Sequence, residues 1–112
     1  MTDVLRVPYE TLCAAVKKAL CDVGVPELQA GIEASIMAEA DLLEVPSHGV
    51  RMLPGLLSAL KEGRATLAPT FSKPRDLGAI CVLDCDNGPG RYASAQAMDA
   101  AIERARNFGV GV

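Results

Sequence analysis

The chain has 112 residues, half of them hydrophobic, with 11 basic against 14 acidic side chains and a net charge of -3. That length can hold one modest core, while the mild acidity and the lack of a dense basic run argue against nucleic acid or anionic lipid as partner. No uncharged apolar run approaches the roughly 20 residues of a membrane helix, and Asp3, Arg6 and Glu10 interrupt what would be the apolar core of a signal peptide, so the chain reads as soluble.

Residues 4–7, VLRV, suit a short extended lead-in, and Pro8 suits the first turn of a helix. Leu12, Val16, Leu20 and Val23 then recur at helical spacing until Gly24 supplies a stop. Pro26 opens a second helix, with an apolar stripe read as Leu28, Ile32, Ile36, Ala40 and Leu43. Glu33, Glu39, Asp41 and Glu44 lie on its polar side. Carboxylates near that C-terminus face the negative end of the macrodipole, a placement that a solvated face accounts for. Ser47 is a good N-cap for a third helix that runs to about Glu62 and stops at Gly63. Pro54 inside it is expected to kink the helix or displace its start. The stretch RATLAPTFSKPRDLG, residues 64–78, reads as a connector and an internal boundary. It separates an N-terminal helical region over 1–65 from the start of a central strand–helix domain over 66–112.

AICVLD, residues 79–84, suits a buried strand, DNGPG turns the chain, and residues 91–107 form a fourth helix. Ala95, Met98, Ala101, Ile102 and Ala105 mark its apolar side, Gly109 ends it, and the last residues, VGV, begin another apolar segment. A strand, a helix and a new apolar run describe a βαβ unit, whose parallel strands normally sit in a covered sheet. The expected fold class is α+β or mixed α/β, mostly helical in this span. Its second strand lacks partners, so the chain is expected to be the front part of a longer protein.

The cysteines give no site. Cys13 and Cys21 are about 12 Å apart along a helix, and Cys81 and Cys85 about 13 Å apart along a strand. Neither spacing is that of a zinc knuckle, and the chain holds one histidine, so no metal is expected. A bridge between the two pairs stays open; small buried hydrophobes in a reducing compartment are the plainer reading.

The single histidine lies in EVPSHGVRMLPG, residues 44–55. With Ser47 as cap, His48 would occupy the first helical position. Unpaired N–H groups there, with Arg51 one turn on, would hold a carboxylate or a developing oxyanion. The positive helix end disfavours imidazolium, while Asp41 and Glu44 favour it, opposed influences that suit a general acid or base. Ser47 is placed to orient the ring or bond a substrate, and Gly49 leaves room for a ligand near the backbone. The alternative is an ordinary surface histidine at a helix start. Further on, DNGPGRYA, residues 86–93, matches a relaxed dinucleotide fingerprint. However, Pro89 removes one amide donor, and a tight turn at Asn87-Gly88 is the better reading.

The segment ADLLEVPSHGVRMLPGLLSALKEG, residues 40–63, resembles the non-Rossmann malate/L-lactate dehydrogenase family, which includes ureidoglycolate, sulfolactate and diketogulonate reductases. The likeness continues through VLDCDNGPG (82–90) and AMDAAIERARNFGVGV (97–112). It implies a cytoplasmic oxidoreductase, homodimeric in its full-length form, that moves hydride between NAD or NADP and a small 2-keto or 2-hydroxy acid. In that reading His48 is the proton donor and Ser47 supports it; Arg51 and Gly49 remain the substrate-facing residues of the local reading, and no residue is assigned to the cofactor. Three residues of the family pattern, an arginine, a glycine and a tyrosine, are missing. Met52 stands where an arginine commonly grips the substrate carboxylate, and Arg51 beside it would be rotated by about 100° on a helix. Glu44 replaces a common glycine, and Leu56 and Leu57 stand where a tyrosine is usual. Since the family's second histidine loop and most nicotinamide contacts fall outside these residues, the 112-residue chain is expected to be inactive and to expose an apolar face. A non-catalytic helical interaction domain related to the family is the alternative.

Overall fold

A computed structural model describes residues 4–112. Helix α1 (Tyr9–Asp22) is followed by α2 (Glu27–Leu42), two 3-10 turns (Pro46–His48 and Val50–Met52), α3 (Leu53–Lys61), β1 (Ser72–Asp76), β2 (Cys81–Asp84) and α4 (Gly90–Phe108). The mostly helical α+β class expected from the sequence is what forms. Among the described residues no helix is long and apolar enough to cross a membrane.

Prolines set the first two helix starts, because each precedes the first helical residue with its φ already near the helical value. Helices α1, α2 and α3 share one closure. A residue in the left-handed region donates three residues back, and the next donates five back: Gly24 to Cys21 and Val25 to Leu20, Glu44 to Asp41 and Val45 to Ala40, Gly63 to Leu60 and Arg64 to Ala59.

The core lies among these helices, where Val16 and Leu20 of α1 meet Ala30, Ala34 and Met37 of α2 and Leu60 of α3. The α1 stripe is as expected. The α2 stripe is not: Leu28 and Leu43 are exposed, and the buried face carries Ala30, Glu33, Ala34, Met37 and Ala38. Apolar residues surround most of α2, so periodicity does not select a face. The small side chains do, because they let α1 and α4 approach the helix closely. In α4 the expected apolar side holds at Ala95, Ala101 and Ala105, which are half-buried, but not at Met98 and Ile102, which are exposed, and Ala93 and Arg104 are buried.

The segment read as a connector contains a strand. β1 pairs antiparallel with β2, Asp76 opposite Cys81 and Arg75 opposite Val82, with an irregularity between Ser72 and Arg75 that accommodates Pro74, which has no N–H to give. β2 is half-buried rather than buried, Cys81 and Leu83 facing inward and Val82 and Asp84 outward. Val112 donates to the carbonyl of Ala79 at 2.8 Å and accepts from the amide of Cys81 at 2.9 Å. This pair of bonds around Ile80 is a parallel bridge, so the strand–helix–strand reading holds for the hydrogen bonds of the last residue. The molecule is elongated, 51 × 30 × 23 Å. Helices α1–α3 form one end, and the hairpin with α4 forms the other. Ile80, Val82, Val110 and Val112 are exposed apolar residues of the second end.

Candidate functional site

His48 is exposed, on the first 3-10 turn, in the connection between α2 and α3. The expected N-cap does not form: Ser47 makes no capping bond, and the α-helix begins only at Leu53 with Pro54 in its first turn. Pro54 therefore displaces the helix start. Two observations explain the remaining geometry. The His48 amide bonds to the Val45 carbonyl at 3.1 Å and the Gly49 amide to that of Pro46 at 3.2 Å, which uses the donors expected to stand free. The Val50 amide is taken by the Asp41 carboxylate at 2.8 Å. This turn is therefore not an open anion site; the protein's own carboxylate fills it.

Gly49 has a different task from the one its smallness suggested. It is buried, and a Cβ there would overlap the Asp41 carboxylate. The room belongs to Asp41, not to a ligand. Ser47 and His48 do form a pair, Oγ lying 2.9 Å from Nδ1. A hydroxyl both donates and accepts, so this one serves the ring in either protonation state while Nε2 is left for another partner. The Arg51 side chain is exposed and has no hydrogen bond or ion pair among the described residues.

Behind the turn lies a contact that the sequence reading placed in solvent. Glu33 is 1 % exposed, and its carboxylate accepts from Arg91 Nη1 at 3.2 Å and from the Tyr92 amide at 2.8 Å. The other arm of the same guanidinium, Nη2, donates to the His48 carbonyl at 2.9 Å and lies 3.5 Å from Met52 Sδ. Sequence offered two signals for it. Glu33 falls three residues after Ala30 and four before Met37, on the face of smallest side chains. Arg91 opens a helix, where a cation is unfavourable without an anion nearby.

The glycine turn does not fit a pyrophosphate. Its α4 amide at Tyr92 already binds Glu33, and a Cβ at Gly88 would strike Pro69, so this glycine answers to packing. The turn itself is centred on Asp86 and Asn87, both at positive φ (52° and 55°), with the Gly88 amide bonded to the Cys85 carbonyl at 2.9 Å. It lies one residue earlier than expected. Two surface depressions, one lined by Lys17, Leu28 and Gly31 and one by Phe71, Leu83 and Glu103, lie away from His48. Among the described residues no three His, Cys, Asp or Glu side chains are grouped as a metal site, and the four cysteines are free thiols.

Fold and turn together define a mostly helical α+β unit that carries a serine–histidine pair on its surface. The model of the malate/L-lactate dehydrogenase family matches residues 7–112. The chain belongs to that family. It is 39% identical over 100 residues to L-sulfolactate dehydrogenase of Methanocaldococcus jannaschii, covering 86% of this chain and 29% of that protein. It is 33% identical over 108 residues to 2,3-diketo-L-gulonate reductase of Pasteurella multocida, covering 96% of this chain and 32% of that one. Its fold superposes on malate dehydrogenase from Pyrococcus horikoshii OT3 with a TM-score of 0.92 at 33% identity, over 96% of this chain and 31% of that chain. The chain thus spans about a third of the length of the relatives it matches.

Proposed function

We propose that this chain supplies the proton-donating part of an oxidoreductase acting between a small 2-keto acid and the corresponding 2-hydroxy acid, with NAD or NADP as the hydride carrier. The observation that carries the reading is the Ser47–His48 pair, 2.9 Å between Oγ and Nδ1 on an exposed turn. Reduction of a keto carbonyl leaves negative charge on its oxygen, and a nearby acid must neutralise it. In the imidazolium, Nδ1–H donates to the serine hydroxyl and Nε2–H faces outward, free to pass to that oxygen. Arg51, three residues on and without a partner among the described residues, is the group offered to the substrate carboxylate. Gly49 contributes by leaving room for the Asp41 carboxylate on the Val50 amide rather than by touching the ligand. The family relatives act on a sulfolactate, a diketogulonate and a malate by their names, which share a 2-oxo or 2-hydroxy acid chemistry and differ in the side chain. No step is assigned to the glycine turn, since its helix amide is already paired.

Because His48 is the chain's one histidine, its ring gives a single pair of carbon-bound proton signals by NMR. Oxaloacetate and pyruvate are expected to shift them in the wild-type chain and in Ser47→Ala, and to do so more weakly in Arg51→Ala. Met52→Arg is expected to tighten the response. NADH and NADPH absorbance followed with the same keto acids in a longer protein that carries this chain, beside its His48→Ala variant, reports turnover. A wild-type ring that ignores both keto acids, or a rate that survives alanine at 48, removes the assigned role.

A further inference from the structure

We infer that Arg91 is a positioning residue for His48, anchored by Glu33; the inference rests on His48 being the proton donor. The main-chain bonds within the histidine turn reach back only three residues: His48 to Val45, Gly49 to Pro46 and Met52 to Gly49. Two 3-10 turns of three residues meet at Gly49, whose backbone is extended (φ -90°, ψ -154°), so no continuous helical ladder runs through it. Two side-chain tethers from outside the turn hold it as well, one from nearby α2 and one from distant α4. One is the Asp41 carboxylate on the Val50 amide at 2.8 Å. The other is Arg91 Nη2 on the carbonyl of His48 itself at 2.9 Å.

The second tether is held in place from below. Glu33 is buried at 1 % exposure and grips both Arg91 Nη1, at 3.2 Å, and the first turn of α4 through the Tyr92 amide, at 2.8 Å. One planar guanidinium therefore joins α2, α4 and the backbone of the histidine. A lysine cannot address two acceptors in that way, because its ammonium is a single point on a flexible stem. A buried ion pair by itself is weak evidence of stabilisation, since apolar side chains of equal volume commonly replace one at no loss. What an apolar pair cannot replace is the third contact, to the His48 carbonyl. The pair thus fixes where the imidazole stands relative to the two helices.

Amide hydrogen exchange on the 112-residue chain tests this, with the lone imidazole signals recorded on the same samples. Three variants are compared with wild type: Arg91→Lys, the paired Glu33→Gln/Arg91→Met, and Arg104→Lys as control. The paired variant leaves no unpaired buried charge and carries the test if Arg91→Lys does not fold. Arg104 makes a comparable 2.7 Å bond to Asp76 but touches nothing near His48. Both Arg91 variants are expected to speed exchange at Gly49 and Val50 by about tenfold or more relative to the core amides of Leu20 and Met37, the loss of one hydrogen bond to a charged group, and to broaden or shift the ring signals. Arg104→Lys should leave that ratio and the ring unchanged. Exchange at residues 49 and 50 that merely follows the core overturns the inference, as does an equal local effect of Arg104→Lys. A wild-type ring indifferent to oxaloacetate overturns it through its premise, and the exchange data then show which of the two ideas failed.

Discussion

Replacing Glu44 by glycine is expected to stabilise the chain, and three copies of one motif supply the reasoning. Helices α1, α2 and α3 end in the same pair of reverse bonds, and the left-handed residue is Gly24 (φ 109°), Glu44 (φ 60°) and Gly63 (φ 76°) respectively. An L-residue pays about 1–2 kcal/mol for that conformation. The carboxylate of Glu44, exposed beside the negative end of α2, adds a few tenths of a kcal/mol, about what an exposed end charge costs. Glycine's extra freedom in the unfolded chain offsets about 0.4–1 kcal/mol of the gain. Glu44→Gly should therefore raise stability by about 1 kcal/mol, read as a higher guanidinium chloride midpoint at unchanged slope. Glu44→Ala removes the charge but keeps the Cβ, so it should gain only the electrostatic part. Gly63→Ala, where no atom lies within 4 Å of a new Cβ, should lose about 1 kcal/mol from conformation alone. If Glu44→Gly leaves the midpoint unmoved while Gly63→Ala lowers it, left-handed strain is not what limits the end of α2.

Gly49→Ala is expected to cost about 2 kcal/mol, because the new methyl displaces the Asp41 carboxylate from the Val50 amide. In an Asp41→Ala background the same substitution should cost almost nothing, and additive losses in that cycle would contradict the contact. Arg104 donates to Asp76 at 2.7 Å and, with a bond from the Gly78 amide, holds that carboxyl below its ordinary value of 3.8. A lowered folded-state value means stabilisation present in full above the ordinary value and lost as the pH falls from there through the lowered one. Acid titration of wild type against Asp76→Asn should show this loss in wild type and not in the variant. Gly111→Ala places a methyl against the Ala101 carbonyl of α4. It should push the last residues off that helix and raise amide exchange at Cys81, whose partner is the Val112 carbonyl, while leaving Leu20 protected.

Legibility varied with the range of the interaction. The α1 stripe of Val16 and Leu20 was correct because one apolar face stands against a charged one. The α2 stripe was misplaced because apolar residues surround that helix and only its neighbours choose a side. β1 was hidden by Pro74 and by five exposed residues with no alternation to read. Glu33 was assigned to solvent because its partner lies 58 residues away, at Arg91.

By itself the sequence determined that four helices form, the proline starts of α1 and α2, the glycine stops of α1, α3 and α4, the family resemblance and the position of the lone histidine. Each of these is written in residues within a turn or two of one another, where propensity and steric limits act. Tertiary structure alone decided what those residues do. It turned the expected helix cap at Ser47 into a partner for the ring, gave the space at Gly49 to Asp41, and buried Glu33 beneath the histidine. A buried carboxylate must find donors wherever the packed helices bring them, and no local pattern specifies which distant segment that will be.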